Sequence, residues 1–536
     1  MFARGCARCA GRVRAGPLSR PRIPPAARSQ CRRYSSQTGA GAAPTPSNHT
    51  SAVGSLAPFV SELDRIAPSF DIRGDQVQII QTPAEFYETL KDRIRNAKRR
   101  IFLSTLYIGK TERELIETLR DALRQNPELK LSILTDALRG TREAPKASCA
   151  SLLVPLVEEF GAHRVEVRMY HTPNLTGLRK KAVPNRINEG WGLQHMKLYG
   201  VDDEIIMSGA NLSSDYFTNR QDRYHLFSSR DMTEHFWRIH EAVTSFSFLV
   251  QPSTDDPAGF TLAWPETNSA PSPLERPTSF VKRTTSTLKP LILPSPSSET
   301  ESPTTEFADT RVYMLAQMSQ VMDPDVSTEL PAVTHILKTL GSPAYRDSSW
   351  TFTAGYFNPD PSLTRLLIGT ASSGRTNTVL TAAPEANGFY GSPGVSGLLP
   401  DAYVLLARRF LTAVQRSGRD GEISLQEWRR GTVGKPGGWT YHAKGLWVTL
   451  PGDENPAMSL IGSSNYTRRS YSLDLEAGAL IVTRNEGLKS RLGGEQRLLQ
   501  EHAKPVTQDD FSRNERRVGL HVRIAMWIVK MVGGAL

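Results

Sequence analysis

Two stretches of the 536-residue chain carry the same reactive residue types in the same order. In the first, His195-Met196-Lys197 is followed by Asp202, by Gly209-Ala210-Asn211 and by Asp222. In the second, His442-Ala443-Lys444 is followed by Gly462-Ser463-Ser464-Asn465 and by Glu476. The two histidines are 247 residues apart, and the interval from Asn to the final acid is 11 residues in both stretches. One His-x-Lys is weak evidence of anything, but two copies with a matching Asn and acid point to one chemistry.

That chemistry is phosphoryl transfer. Residues i and i+2 of an extended strand share a face, so each His lies beside its Lys. If two halves pack about a pseudo-twofold axis, both pairs converge on one cleft. There, one neutral imidazole can attack phosphorus while the other, protonated, donates to the departing oxygen. Lys197, Lys444, Asn211 and Asn465, with Ser463 beside the second Asn, are the candidate donors to the non-bridging oxygens. Asp222 and Glu476 are the candidate acceptors for the remaining ring nitrogens, fixing each tautomer. Such a set needs no metal or cofactor. The chain has no HExxH, Walker loop, G-x-S-x-G elbow or dinucleotide glycine fingerprint, and His235 and His240 have the wrong spacing for a helical zinc pair.

The elements that must position these residues read as α/β. Short apolar runs at Val77–Ile80, Arg100–Tyr107, Leu129–Thr135 and Val165–Tyr170 predict strands, with helices near 83–98, 112–125 and 148–160. In the second half, Trp350–Phe357, Thr378–Ala382 and Trp447–Leu450 predict strands and Asp401–Val414 a helix. Tyr107 matches Tyr356 and Leu134-Thr135 matches Leu380-Thr381 at nearly the same offset as the histidines, which implies an internal duplication. The expected organisation is a first lobe over 62–251 and a second over 307–512. Between them, ten prolines in the 52 residues from Pro252 to Pro303 predict a linker or insert (252–306) unable to hold a helix or a central strand.

Charge and cysteine usage narrow the classes. The formal charge is +11, but nine Arg and no acid fall within residues 1–61, so the body is nearly neutral and offers no nucleic-acid groove. An Arg-rich, acid-free leader predicts a mitochondrial presequence over 1–34, cut near Ser35, then a disordered segment over 35–61. Three of the four cysteines lie in that leader. Cys149 alone remains in the body, where it reads as a small buried apolar residue. Residues 513–536 predict a basic amphipathic helix with Arg516, Arg523 and Lys530 in one stripe. It either lies in an anionic membrane interface or closes the second lobe.

The segments H-x-K-x4-D and G-x-N resemble the phospholipase D superfamily. Gln194–Tyr224, Thr381–Gly397 and the stretches TYHAKGLWVTL and GSSNYTRRSYSLDLEA are more specifically similar to its mitochondrial phosphatidylglycerophosphate synthase family, and the likeness covers nearly the whole body. The resemblance implies two α/β lobes related by a pseudo-twofold axis, each a mixed sheet flanked by helices, with one active site between them. It also implies a phosphatidyl-histidine intermediate and transfer of phosphatidyl from CDP-diacylglycerol to glycerol 3-phosphate. His195, Lys197, Asp202, His442 and Lys444 then form the catalytic group, with His195 favoured as nucleophile because its motif is complete, whereas Thr449 stands where the second would have Asp. Of the candidate cations Arg139, Arg142, Arg220, Arg223, Arg468 and Arg469, Arg220 and Arg468 are taken as phosphate ligands; Tyr390 reads as packing. The expected setting is the matrix face of the inner mitochondrial membrane, bound peripherally to an anionic surface, with a homo-oligomer left open. A hydrolytic phospholipase- or nuclease-type phosphodiesterase and a non-catalytic lipid-binding scaffold are the competing readings. The complete duplicate His/Lys/Asn sets count against the scaffold.

Overall fold

A computed structural model describes residues 55–184, 187–294, 308–370 and 374–531. The presequence, most of the segment expected to be disordered, residues 295–306 of the insert, residue 307 and the last five residues of the expected C-terminal helix lie outside the described residues.

Two nine-stranded mixed sheets dominate the molecule. Across the first, the order runs Phe260–Ala263, Phe248–Pro252, Val165–Tyr170, Lys130–Asp136, Arg100–Ser104, Leu198–Val201, Glu204–Ser208, Tyr224–Ser228 and Val77–Ile80. Across the second it runs Ala503–Pro505, Ile423–Trp428, Asn377–Ala382, Ser349–Ala354, Lys444–Thr449, Met458–Gly462, Glu476–Thr483, Thr310–Gln317 and Ser69–Ile72. From Val165–Tyr170 to Val77–Ile80 in one sheet, and from Ile423–Trp428 to Thr310–Gln317 in the other, the strands correspond one to one. In each, three parallel strands are followed by antiparallel ones. The duplication read from spaced residues is therefore a duplication of sheet topology.

The sheets are not separate domains. Phe102, Leu198 and Met207 of the first share one core cluster with Met314, Trp447, Ile461 and Leu475 of the second, joined by Phe236, Phe280 and Leu492 from helices packed between them. Separate clusters back the outer faces. Leu90, Leu119 and Leu153 lie under helices Pro83–Arg95, Arg113–Gln125 and Cys149–Phe160, while Ile336, Leu367 and Phe410 do the same for the second sheet. Local chemistry starts these helices where the chain must turn. The Thr82 hydroxyl accepts from the Glu85 amide while the Glu85 carboxylate accepts from the Thr82 amide, and Ser148 caps the third. Across the junction the buried Arg223 guanidinium pairs with Glu495 at 2.9 Å, donates to Leu460 O and lies 3.8 Å over the Trp447 ring. This candidate phosphate ligand is a strut between the lobes.

Three boundaries differ from those the sequence predicts. The Pro-rich insert holds an edge strand, Phe260–Ala263, and a 16-residue helix, Pro277–Ile292. Pro277 occupies the first turn, where no amide partner is needed, whereas Pro290 lies inside the helix near its end and forgoes one amide bond, a loss offset by the burial of its neighbours. Phe280, Leu288 and Ile292 are fully buried in the central core, worth about 1.5–3 kcal/mol apiece, and the Thr284 hydroxyl ties the helix to Val321 O. At the N-terminal side, the helix Ala57–Ile66 begins inside the segment expected to be disordered. It packs Phe59 and Leu63 into the core of the second lobe, and Ser69–Ile72 pairs with Thr310–Gln317, so the chain enters through the second sheet before building the first. At the C-terminus the helix spans Leu520–Met531. Arg516 lies before it and forms a two-point pair with Glu427 of the second sheet, which removes it from the expected basic stripe. Val522 is buried while Leu520 and Ile524 are exposed, and the Lys530 side chain is outside the described residues. Among the described residues no helix is long and apolar enough to cross a membrane.

Candidate active site

Each His-x-Lys segment enters the junction just ahead of its strand, and each is pinned there by backbone bonds to the other half. The His195 amide donates to Leu475 O at 2.9 Å and the Leu475 amide to Leu193 O at 2.8 Å. Symmetrically, the His442 amide donates to Gln221 O at 2.8 Å, where Thr440–Tyr441 and Arg220–Gln221 form a two-stranded parallel sheet. Leu475 precedes Glu476 and Gln221 precedes Asp222, so this pairing delivers each acid to the opposite histidine. His195 Nδ1 lies 2.9 and 3.0 Å from the two Glu476 oxygens, and His442 Nδ1 lies 2.6 Å from Asp222 Oδ2. The acids orient histidines, but across the lobes rather than within them. Nδ1 of each ring is thereby engaged, which makes each Nε2 the candidate reactive atom.

The lysines sit beside their own histidines. Lys197 Nζ donates to His195 O at 2.7 Å and Lys444 Nζ to His442 O at 2.9 Å, the latter also 3.6 Å from Asp222. Gly209 of the G-x-N turn has to be glycine, because a Cβ there would stand 2.5 Å from Lys444 Nζ and 2.7 Å from Asp222 Oδ1. Burial sets the protonation. It pushes Lys197 down to about 7 and Glu476 up to about 7, and it depresses Lys444. It also holds His195 well below the ordinary histidine range, and His442 down to about 3 with help from the Lys444 charge. Asp222 goes the other way. Burial opposes its ionisation, yet Lys444 and His442 hold it below the usual carboxylate range. Both imidazoles are therefore neutral before a substrate arrives, one facing a carboxyl pushed towards neutrality and the other an ionised carboxylate.

Asn211 and Asn465 reach the junction, and the Oδ1 of each is buried without a protein partner. Asn211 Nδ2 is 3.2 Å from Tyr216 Oη, which in turn lies 3.4 Å from His442 Nε2. Tyr216 carries no motif signature; only its place five residues after Asn211 could have drawn attention to it. Arg220 also belongs to the site, its guanidinium 4.6 Å over the Tyr216 ring, bonded to Thr440 and paired with Asp215.

Three expected members are elsewhere. Asp202 sits in the turn between Leu198–Val201 and Glu204–Ser208 at φ +52°, accepting from the amides of Lys98, Arg99 and Arg100 at 2.7, 2.8 and 3.1 Å. It holds the lobe's edge and touches no catalytic group. Ser463 donates its hydroxyl to Glu476 and receives the Ala477 amide, so it positions the carboxylate instead of meeting phosphate. Arg468 opens the short helix Arg468–Ser472 facing solvent. Its neighbour Arg469 turns inward, pairs with Asp474 at 3.0 Å and donates to Glu189 O, so its charge adds to the depression of His195. A one-residue step at the start of a helix rotates a side chain by about 100°, which spacing alone does not reveal. Asp474 also accepts the Leu193 amide two residues before His195. Cys149 is buried, as its type suggests, with its thiol pushed up to about 11.

Comparisons with known proteins bear on the family and the fold. Residues 90–243 match the family described as cardiolipin synthase, PLD-like domain. The CDP-diacylglycerol–glycerol-3-phosphate 3-phosphatidyltransferase of Saccharomyces cerevisiae is 44% identical over 490 residues, covering 88% of this chain and 92% of its own. The Schizosaccharomyces pombe protein of the same name is 41% identical over 481 residues, 83% and 93% of the two chains. The Homo sapiens protein, named mitochondrial, is 34% identical over 495 residues, 87% and 84%. Among solved structures, phosphatidylserine synthase from Haemophilus influenzae superposes with a TM-score of 0.65 over 89% of this chain and 98% of its own at 18% identity, a likeness of fold. With paired lobes, crossed His–carboxylate contacts and relatives this similar over nearly their whole length, the chain belongs to the CDP-diacylglycerol–glycerol-3-phosphate 3-phosphatidyltransferase family.

Proposed function

We propose that the protein transfers a phosphatidyl group from CDP-diacylglycerol to glycerol 3-phosphate in mitochondria, releasing CMP, through a covalent phosphatidyl-histidine. The observation that carries this reading is the crossed pairing of His195 with Glu476 and of His442 with Asp222. Neutral His195 attacks the lipid-bearing phosphorus through Nε2, forming a P–N bond as the P–O bond to CMP breaks. His442, its imidazolium favoured by ionised Asp222 once the diphosphate adds negative charge, hands a proton to the departing CMP oxygen. The then neutral His442 takes the hydroxyl proton of glycerol 3-phosphate, whose oxygen attacks phosphorus and frees His195. In this reading Lys197, Lys444 and the two Asn amides donate to the non-bridging oxygens, and Arg220 and Arg469 neutralise the phosphates of donor and acceptor.

The donor's acyl chains require peripheral contact with an anionic membrane; the inner-membrane matrix face is the proposed setting. The test is to incubate the purified protein with CDP-diacylglycerol, with and without glycerol 3-phosphate. CMP and phosphatidylglycerophosphate should appear together and depend on the acceptor. CMP released equally without it, with phosphatidic acid as the product, would replace the transferase reading by hydrolysis.

A further inference from the structure

Large apolar side chains left open to water are few in this molecule, and their placement is uneven. Among the described residues the most exposed are Leu178, Ile187, Tyr390, Val395, Leu520 and Ile524. The last two lie on the C-terminal helix. The first four lie on two loops that leave the carboxyl ends of parallel strands, the edge of each sheet from which the His-x-Lys segments enter: Leu178 and Ile187 after Val165–Tyr170, Tyr390 and Val395 after Asn377–Ala382.

Both loops touch the opposite lobe at the cleft. The first is held where Arg469 donates to Glu189 O at 2.8 Å, and it runs directly into Leu193 and His195. The second crosses over Arg220, since a Cβ on Gly388 would lie 3.0 Å from its Nη2 and 2.9 Å from Tyr356 Oη. The adjacent Phe389 ring lies tilted at 5.5 Å from the Tyr356 ring, which meets His442 edge-on at 5.2 Å. The loops therefore rim one opening, the first on the His195 side and the second on the His442 side.

Their exposed side chains suit a bilayer. Leu178 is 84% exposed, Val395 74%, Ile187 59% and Tyr390 43%. Leu178 opens the sequence Leu-Arg-Lys-Lys in the short helix Gly177–Ala182, and among the described residues no carboxylate pairs with Arg179, Lys180 or Lys181, Arg179 donating to Asn174 O at 3.2 Å. Apolar side chains beside unpaired cations are what an anionic interface binds: the former enter the headgroup boundary and the latter meet phosphates, each cation worth about 1 kcal/mol near such a surface. Buried against a protein, the same three cations would each need an acidic partner.

We propose that these two loops form the membrane-docking rim of the enzyme, seating the mouth of the catalytic cleft on an anionic phospholipid surface, with Leu178, Ile187 and Val395 entering the interface and Arg179, Lys180 and Lys181 binding phosphate groups. The inference rests on the lipid phosphatidyl donor proposed above and names how that donor is reached. It moves the main contact away from the C-terminal segment, where Arg516, ahead of the helix, is committed to Glu427.

The test compares full-length protein with L178S/I187S/V395S, R179Q/K180Q/K181Q and, as a control, L520S/I524S. Each is sedimented with phosphatidylcholine vesicles with and without phosphatidylglycerol, and assayed for CMP release from long-chain donor in vesicles and from a short-chain donor dispersed as monomers. Both rim variants should bind anionic vesicles about tenfold or more weakly and lose vesicle-borne turnover in proportion, while keeping short-chain turnover. The control should bind like wild type. Rim variants that sediment like wild type overturn the proposal, and so does loss of binding confined to the control or a rim variant that loses short-chain turnover while still binding. A wild-type protein that binds vesicles through the rim but releases no CMP from either donor would instead remove the transferase reading and leave the docking surface standing.

Discussion

His195 and His442 occupy equivalent places in a duplicated frame, yet their surroundings differ in charge. Glu476, behind His195, receives the Ser463 hydroxyl and is pushed up by burial to about 7. Asp222, behind His442, lies 3.6 Å from Lys444 and stays ionised. Tyr216, near His442 Nε2, has no counterpart, since the equivalent position after the second Asn is Ser470, which turns back to the Asn465 amide. A carboxyl tending towards neutral leaves its histidine a nucleophile, whereas an ionised carboxylate favours an imidazolium and so an acid. Duplication supplied the frame; on the proposed mechanism the acids behind the rings divide the roles.

The comparison breaks most directly at the rings themselves. H195A should lose about four orders of magnitude or more in turnover and should never carry radiolabel from the diacylglycerol phosphate. H442A should be slowed to a similar degree overall, yet still accumulate the labelled protein, because CMP departs more readily than the alkoxide is activated. Label on the H195A chain, measured by acid-quenched gel, would reverse the roles. Next come the acids. D222N should lower kcat by about a thousandfold by removing an ionised partner and disturbing the tautomer, whereas E476Q, which resembles a protonated glutamic acid, should lower it only about tenfold. Equal losses would remove the asymmetry.

A smaller effect is expected from pH. Lys197, depressed to about 7, is a charged donor below that value and loses its proton as pH rises through it, so kcat/KM should decline above about pH 7. K197R, which stays charged throughout, should abolish that decline even if its absolute rate is lower. The smallest effect belongs to the residue outside the cleft. D202N should leave kcat unchanged and lower stability by about 1–3 kcal/mol in urea titration, through weakened acceptance of three amides.

Much of this was legible in residue order. The matched Asn–acid intervals announced the duplication, and most strands and helices fall where apolar periodicity places them, as with Val77–Ile80 and Val165–Tyr170. What spacing could not carry was which acid serves which ring: Glu476 and His195 are 281 residues apart, and only the cross-lobe bonds at Leu475 and Gln221 decide their partnership. The helix Pro277–Ile292 was hidden because proline count hides proline position and tertiary burial: Pro277 sits in the first turn, where it is compatible with a helix, and the single interior Pro290 is outweighed by the buried Phe280, Leu288 and Ile292. Arg223 looked like a ligand because it flanks Asp222, but its guanidinium is buried at the junction, committed to Glu495 and Leu460 O.

The crossed wiring of the two rings also makes assembly the enzyme's safety catch. A chain with only one half in place holds an imidazole with no acid behind it and no second ring opposite, so on the proposed mechanism it could not complete a transfer. Turnover then requires both halves to be packed together.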